Sequence, residues 1–271
     1  MRALEDQELS TAPGLDGAAV QFMDSPRWVR VLFGGTVVAD SKRVKLMRET
    51  GRLPVYYFPR EDVRTDVLER SERTSDSPHK GRASYWSVRV GDRVAEDAVW
   101  AYLEPPEELA ELKDYVAFYW HKMDRWFEED DEVFLHPRDP YHRVDVVHSS
   151  RHVRVEIDGE TVAETTRPRL LFETGLPTRY YIPMLDVRTD LLTATDTSTV
   201  CPYKGRARYW SANVNGKTHE NIVWSYPAPI PECPKIENLL CFFNERADIY
   251  VDGELQPRPQ SQWSQGISSY G

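Results

Sequence analysis

The chain has 271 residues, 40% of them hydrophobic and 29% charged, with a formal net charge of −10 and 14 Tyr and eight Trp. This is the composition of a globular protein with one large or two ordinary domains. The acidic balance with no Lys/Arg run argues against nucleic-acid binding, and no stretch nears the roughly 20 apolar residues of a membrane helix.

Along the chain, residues 1–26 are acidic, lack the apolar centre of a signal peptide, and read as a flexible leader. A first β-rich unit spans 27–129, with Gly34-Gly35 and Gly91-Asp92 as hairpin turns. Its best helix candidate is Pro106 to Tyr115, where Leu109, Leu112 and Val116 form one apolar stripe. Two prolines and a dense charge run make 130–150 an extended connector. In the second unit, 151–256, Val153–Ile157 alternates apolar and polar before the hairpin signal Asp158-Gly159. Arg179–Ile182 is a short strand stopped by Pro183. Asp186 is placed to cap a helical turn from Val187 to Leu192. Ala207–Val214 and Ile222–Tyr226 are strands joined through Asn215-Gly216. Pro231 to Leu239 can hold a short helix, and Phe242-Phe243 and Ile249–Val251 supply the last strands. The tail, 257–271, is Ser/Gln-rich and reads as disordered.

The two units are copies of one another. A shift of 124 residues aligns them without a gap. Glu49-Thr-Gly51 falls on Glu173-Thr-Gly175, Tyr56-Tyr57-Phe-Pro59 on Tyr180-Tyr181-Ile-Pro183, Asp62-Val-Arg-Thr-Asp66 on Asp186-Val-Arg-Thr-Asp190, Pro78-His-Lys80-Gly on Pro202-Tyr-Lys204-Gly, and Tyr85-Trp-Ser87 on Tyr209-Trp-Ser211. A period this long is a domain duplication rather than a solenoid.

With the blocks Tyr-Tyr-x-Pro-x-x-Asp-Val, Cys201-Pro-Tyr-Lys204-Gly205 and Tyr209-Trp-Ser, the chain resembles the DUF427 family in its tandem, actinobacterial-type form. The resemblance implies a mainly β fold: two β-tent or Mss4-like antiparallel domains with short helices, each built of two sheets with a cleft between. Two such copies are expected to be related by a pseudo-two-fold. A nucleotidyltransferase label sometimes attached to the family finds no support, because there is no Gly-Ser followed by paired acidic ligands and no phosphate-cradling glycine loop. The family pattern carries Cys before Pro-x-Lys-Gly; the second copy has Cys201, whereas the first has Ser77, and His79 stands in place of Tyr203.

The chemistry-bearing residues follow from the repeat. Lys204 recurs as Lys80 where packing alone needs no charge, and Glu173 recurs as Glu49. If both face one cleft, Glu173 is the counter-ion of Lys204 and a candidate general base; a solvated turn is the alternative. Cys201 is a candidate nucleophile, since an ammonium nearby activates a thiol, or the filler of a small apolar hole. Tyr181, Tyr209, Trp210 and Trp224, with Tyr57, Tyr85 and Trp100 in the first copy, can line the cleft or build the sheet core. Strand geometry sends Tyr180 and Tyr181, and likewise Tyr209 and Trp210, to opposite faces, while Trp224 and Tyr226 share one. Asp62 and Asp186 read as helix caps, with Arg64 and Arg188 on the surface or paired to them.

Three Cys with no pair at two-residue spacing and seven scattered His speak against structural zinc. No cofactor is expected. The odd Cys count suggests reduced thiols and a cytoplasmic protein. The expected function is small-molecule binding, or catalysis, in an aromatic cleft around Lys204 and Glu173. The alternatives are a non-catalytic structural or interaction scaffold, and a hydrolase or lyase using Cys201 or Glu173.

Overall fold

The computed structural model describes residues 20–261 and Ser264. It is mainly β, and the chain divides into two units between Tyr141 and His142. The strands of the first are β1 (Val20–Asp24), β2 (Val29–Phe33), β3 (Thr36–Ser41), β4 (Lys45–Glu49), β5 (Val55–Pro59), β6 (Leu68–Ser77), β7 (Gly81–Val90), β8 (Arg93–Tyr102), β9 (Tyr115–Phe118), β10 (Arg125–Glu128) and β11 (Asp131–Val133). Those of the second are β12 (Val144–His148), β13 (Val153–Ile157), β14 (Glu160–Thr165), β15 (Arg169–Glu173), β16 (Arg179–Ile182), β17 (Leu192–Cys201), β18 (Gly205–Val214), β19 (Lys217–Ser225), β20 (Leu240–Phe242), β21 (Asp248–Val251) and β22 (Glu254–Leu255).

Each domain has a seven-stranded and a four-stranded antiparallel sheet. The orders are β1-β4-β5-β9-β8-β7-β6 and β11-β10-β2-β3 in the first, β12-β15-β16-β20-β19-β18-β17 and β14-β13-β21-β22 in the second. The ladder irregularities also repeat at the 124-residue shift: Val31/Leu32 with Val155/Glu156, and Trp86/Val88 with Trp210/Ala212. Asp158-Gly159 and Asn215-Gly216 have both residues at positive φ, as a right-twisted two-residue hairpin requires.

The main core lies between the two sheets. In the second domain Val153, Val155 and Ile157 point inward from β13 against Ile182, Ala212, Val223 and Phe242 of the large sheet; in the first, Val29, Val31 and Trp126 meet Phe58, Val88, Val99 and Phe118. The cleft expected between the sheets is therefore filled by apolar side chains. A second cluster sits on the other face of each large sheet, around Tyr57, Tyr85, Tyr102 and Leu112 in the first domain and Tyr181, Tyr209, Trp224, Tyr226 and Ile236 in the second.

Several expected segments take different forms. The leader expectation fails for Val20–Asp24, which pairs with β4 as β1; residues 1–19 lie outside the described residues. The 130–150 connector is absorbed into the domains. Asp131–Val133 pairs with β10, Asp139 binds the buried Arg48, and Val144–His148 pairs with β15. The tail expectation is corrected for its first residues: Arg258 pairs with Asp248 and the Ser261 hydroxyl donates to Glu245, while 262–263 and 265–271 lie outside the described residues.

The helices shrink to 3-10 turns, including Glu107–Asp114, Met184–Asp186, Thr189–Leu191 and Pro234–Ile236. Leu109 interrupts the first with non-helical dihedrals. Asp186 caps nothing: Thr165 Oγ1 and Arg167 donate to it, as Ser41 and Arg43 do to Asp62. Arg188 and Arg64 pair with Asp190 and Asp66 instead. The polar strand Leu192–Cys201 escaped the hydrophobic pattern because it is an edge strand bonded on one side only.

Candidate functional site

In sheet order β15 and β18 stand four positions apart, roughly 19 Å in a flat sheet at about 4.8 Å per strand. Glu173 ends β15 and Lys204 occupies the turn before β18, yet the Lys204 ammonium donates to both carboxylate oxygens at 2.5 Å. The large sheet must therefore curl until its ends approach each other. The turn that delivers Lys204 is set by Gly205, at φ +104°, where a Cβ would lie 3.2 Å from the Ala228 carbonyl oxygen. Gly81 repeats this at φ +82°, with Glu104 O at 3.2 Å. A side chain is excluded at both by backbone conformation and by close approach.

The Lys204 and Glu173 side chains are only 10% and 5% exposed. Burial by itself would push the Glu173 carboxyl up, but the Lys204 charge and the hydrogen bonds from His142 and Lys204 hold it down at about 2. Burial opposes the Lys204 charge too, and Glu173 outweighs it, leaving the ammonium above its ordinary range. Both groups are ionised at neutral pH. His142 Nε2 lies 3.0 Å from Glu173 Oε1, and its ring stacks on Tyr203 at a centroid distance of 4.1 Å. Because the ionised Glu173 is an acceptor only, Nε2 is the nitrogen that donates to it.

Around the pair, Trp224 Nε1 donates to the Tyr181 hydroxyl at 3.1 Å, and the Tyr209 hydroxyl lies 2.7 Å from Thr199 Oγ1. Burial raises the Tyr181, Tyr209 and Tyr226 phenols. All three, and Trp224, are closed over by their neighbours. Cys201 is partly exposed beside Lys204, while Cys233 and Cys241 are buried. Burial lifts the Cys233 thiol to about 11, with Lys204 opposing, and lifts Cys241 further.

The first domain repeats the frame. Lys80 bonds Glu49, Trp100 Nε1 donates to the Tyr57 hydroxyl at 3.1 Å, and the Tyr85 hydroxyl lies 2.7 Å from Ser75 Oγ. The other partner of the carboxylate differs: Arg52 Nε, 3.4 Å from Glu49 Oε2, takes the role His142 has in the second domain. His79 is exposed and Ser77 Oγ accepts from the backbone N–H of His79 and Lys80.

The structure thus gathers Lys204, Glu173, Tyr181, Tyr209, Trp224 and Cys201 on one face of the large sheet, and Lys80, Glu49, Tyr57, Tyr85 and Trp100 on the equivalent face. Trp210 is the exception: alternation along β18 turns it to the intersheet core, away from Lys204. His142 was missed because it precedes the aligned repeat and looked like linker. Also missed was a buried network peculiar to the second domain. Arg179 donates to both Glu245 oxygens at 2.7 Å and lies over Trp224 and Phe243, 5.4 and 5.8 Å from the ring centres. The first copy has Val55 and His121 at those positions, so the departure from the repeat was the available signal.

Among the described residues no three His, Cys, Asp or Glu side chains cluster as metal ligands do, and no helix is long and apolar enough to cross a membrane.

The family described as a domain of unknown function, DUF427, matches residues 21–129 and again 145–253. The chain belongs to the DUF427 family, in tandem form. The two matches are offset by the same 124 residues that relate the copies, and each takes in strands of both sheets of one domain, stopping short of the edge strands β11 and β22. No curated protein matched the chain.

Proposed function

We propose that the second DUF427 domain binds a small molecule at the Lys204–Glu173–His142 group. The observation that carries the reading is a buried ion pair with unused hydrogen-bonding capacity at its edge. Lys204 has three donors, two of them spent on Glu173. His142, with one nitrogen on Glu173, is the more open partner. A ligand offering one acceptor to the ammonium and one proton to the imidazole matches this arrangement, with the Tyr203 ring beside it. In a catalytic version His142 is the better general base: a carboxylate held at about 2 is too weak a base for Glu173 to serve. Cys201 as nucleophile draws only on its place beside Lys204. The free thiols fit a reducing, cytoplasmic setting.

One observation favours a second reading, a non-catalytic scaffold or interaction module. The aromatic residues expected to wall a cleft, Tyr181, Tyr209 and Trp224, are packed on one another rather than open. A thermal-shift screen of metabolites and nucleotides on the full chain separates the two readings, with titration calorimetry of the hits. Binding is expected to weaken at least tenfold in Lys204→Ala and His142→Ala and to be unchanged in Lys80→Ala. Hits indifferent to both second-domain substitutions, or no hits at all, favour the scaffold.

A further inference from the structure

The second domain holds all three of the chain's thiols and the first holds none. Cysteine stands at 201, 233 and 241 where the first copy has Ser77, Leu109 and Ala117; of these, Cys201 and Cys233 lie on the turn and loop segments around Lys204. The backbone brings their segments to one place through consecutive hydrogen bonds: Lys204 N to Cys201 O at 3.3 Å, Ile230 N to Lys204 O at 3.1 Å, and Cys233 N to Ile230 O at 2.9 Å. Gly205 bridges Pro229, fastening the 201–205 turn to the 228–233 loop. Both side chains belong to the cluster around Tyr209 and Tyr226, and the Lys204 ammonium interacts electrostatically with each.

We propose that Cys201 and Cys233 are an oxidisable dithiol, with Cys201 as the attacking thiol and Cys233 as the resolving one. The roles follow from exposure. Cys201 is the partly exposed thiol, open to an oxidant, whereas Cys233 is buried. Attack by the Cys201 thiolate on a hydroperoxide forms an S–O bond and breaks the O–O bond. Sulfur is oxidised to sulfenic acid, and the peroxide is reduced to water or an alcohol. Cys233, giving up its proton, then attacks that sulfur; the S–S bond forms, the S–O bond breaks and water leaves. Cys241, fully buried on β20, takes no part. The modification rests on the thiol positions and not on the ligand reading above.

The test oxidises the reduced full chain with hydrogen peroxide and follows intact mass, thiol count and peptide mapping. The expected result is a loss of about 2 Da and of two thiols. A Cys201–Cys233 linked peptide and reversal by a thiol reductant are also expected. Cys201→Ser and Cys233→Leu, which install the first copy's residues, each abolish the loss, and Cys241→Ala leaves it intact. Oxygen adducts on Cys201 without the cross-link, a link through Cys241, a link between chains, or an unreacted protein each overturn the proposal. The mapping of the unaltered chain decides the matter even if Cys233→Leu fails to fold.

Discussion

In the first domain the glutamate of the buried pair has a second cation, Arg52, whose side chain is 49% exposed; in the second, position 176 is leucine and the glutamate's other partner is His142. Everything beneath is shared: the curled sheet, the glycine turn, the Trp-to-Tyr hydrogen bond at 3.1 Å and the Tyr-to-Ser/Thr contact at 2.7 Å. Duplication has kept the frame and changed the rim. A guanidinium is charged at every accessible pH and offers donors only, whereas an imidazole can accept or release a proton. The rim therefore decides which copy sets an imidazole rather than a guanidinium against the carboxylate, although both carry the same ion pair.

The comparison breaks most readily at the network the first domain lacks. Arg179→Met strands the Glu245 carboxylate, whose side chain is 0% exposed, and is expected to cost about 3 to 5 kcal/mol. Arg179→Met with Glu245→Met should cost less than the two singles combined. Urea unfolding, with amide exchange resolved by domain, measures both; additive losses would mean the two side chains do not depend on each other.

Lys204→Met leaves Glu173 buried and is also expected to cost about 3 to 5 kcal/mol. Lys80→Met should cost clearly less, because Arg52 remains beside Glu49. Equal losses at the two sites would remove Arg52 from the list of partners. Acid sharpens the same point. Glu173 is held at about 2 against an ordinary 4.5, so its contribution is complete above about pH 4.5 and is lost as the pH falls toward 2. That is roughly 3 kcal/mol at 1.36 kcal/mol per pH unit. Glu173→Gln should flatten this dependence in an acid titration of second-domain stability; an unchanged profile would assign it to other carboxylates.

Trp224→Phe deprives the buried Tyr181 hydroxyl of its donor and is expected to cost about 1 to 3 kcal/mol. The same substitution at the partly exposed Trp100 should cost less, since water can reach the vacated position. Thermal denaturation of the two variants side by side tests the ranking.

The sequence by itself determined the duplication, the family and the mainly β class. A 124-residue match and period-2 alternation are local signals that survive without knowledge of contacts. It also determined that Tyr181 and Trp210 face opposite ways from their strand neighbours, because pleating fixes this residue by residue. The convergence of Lys204 on Glu173 could be proposed from the repeat, but its distance depends on how far a seven-stranded sheet curls, which accumulates over four strand pairings. Only the tertiary structure put His142 on the carboxylate. Its segment resembles a linker by composition, and pairing of Val144–His148 with β15 draws it into the second domain. Tertiary packing also decided that the space between the sheets is filled while the charged pair lies on the opposite face. Alternation tells which side chains share a face, but not which face finds a second sheet to cover it.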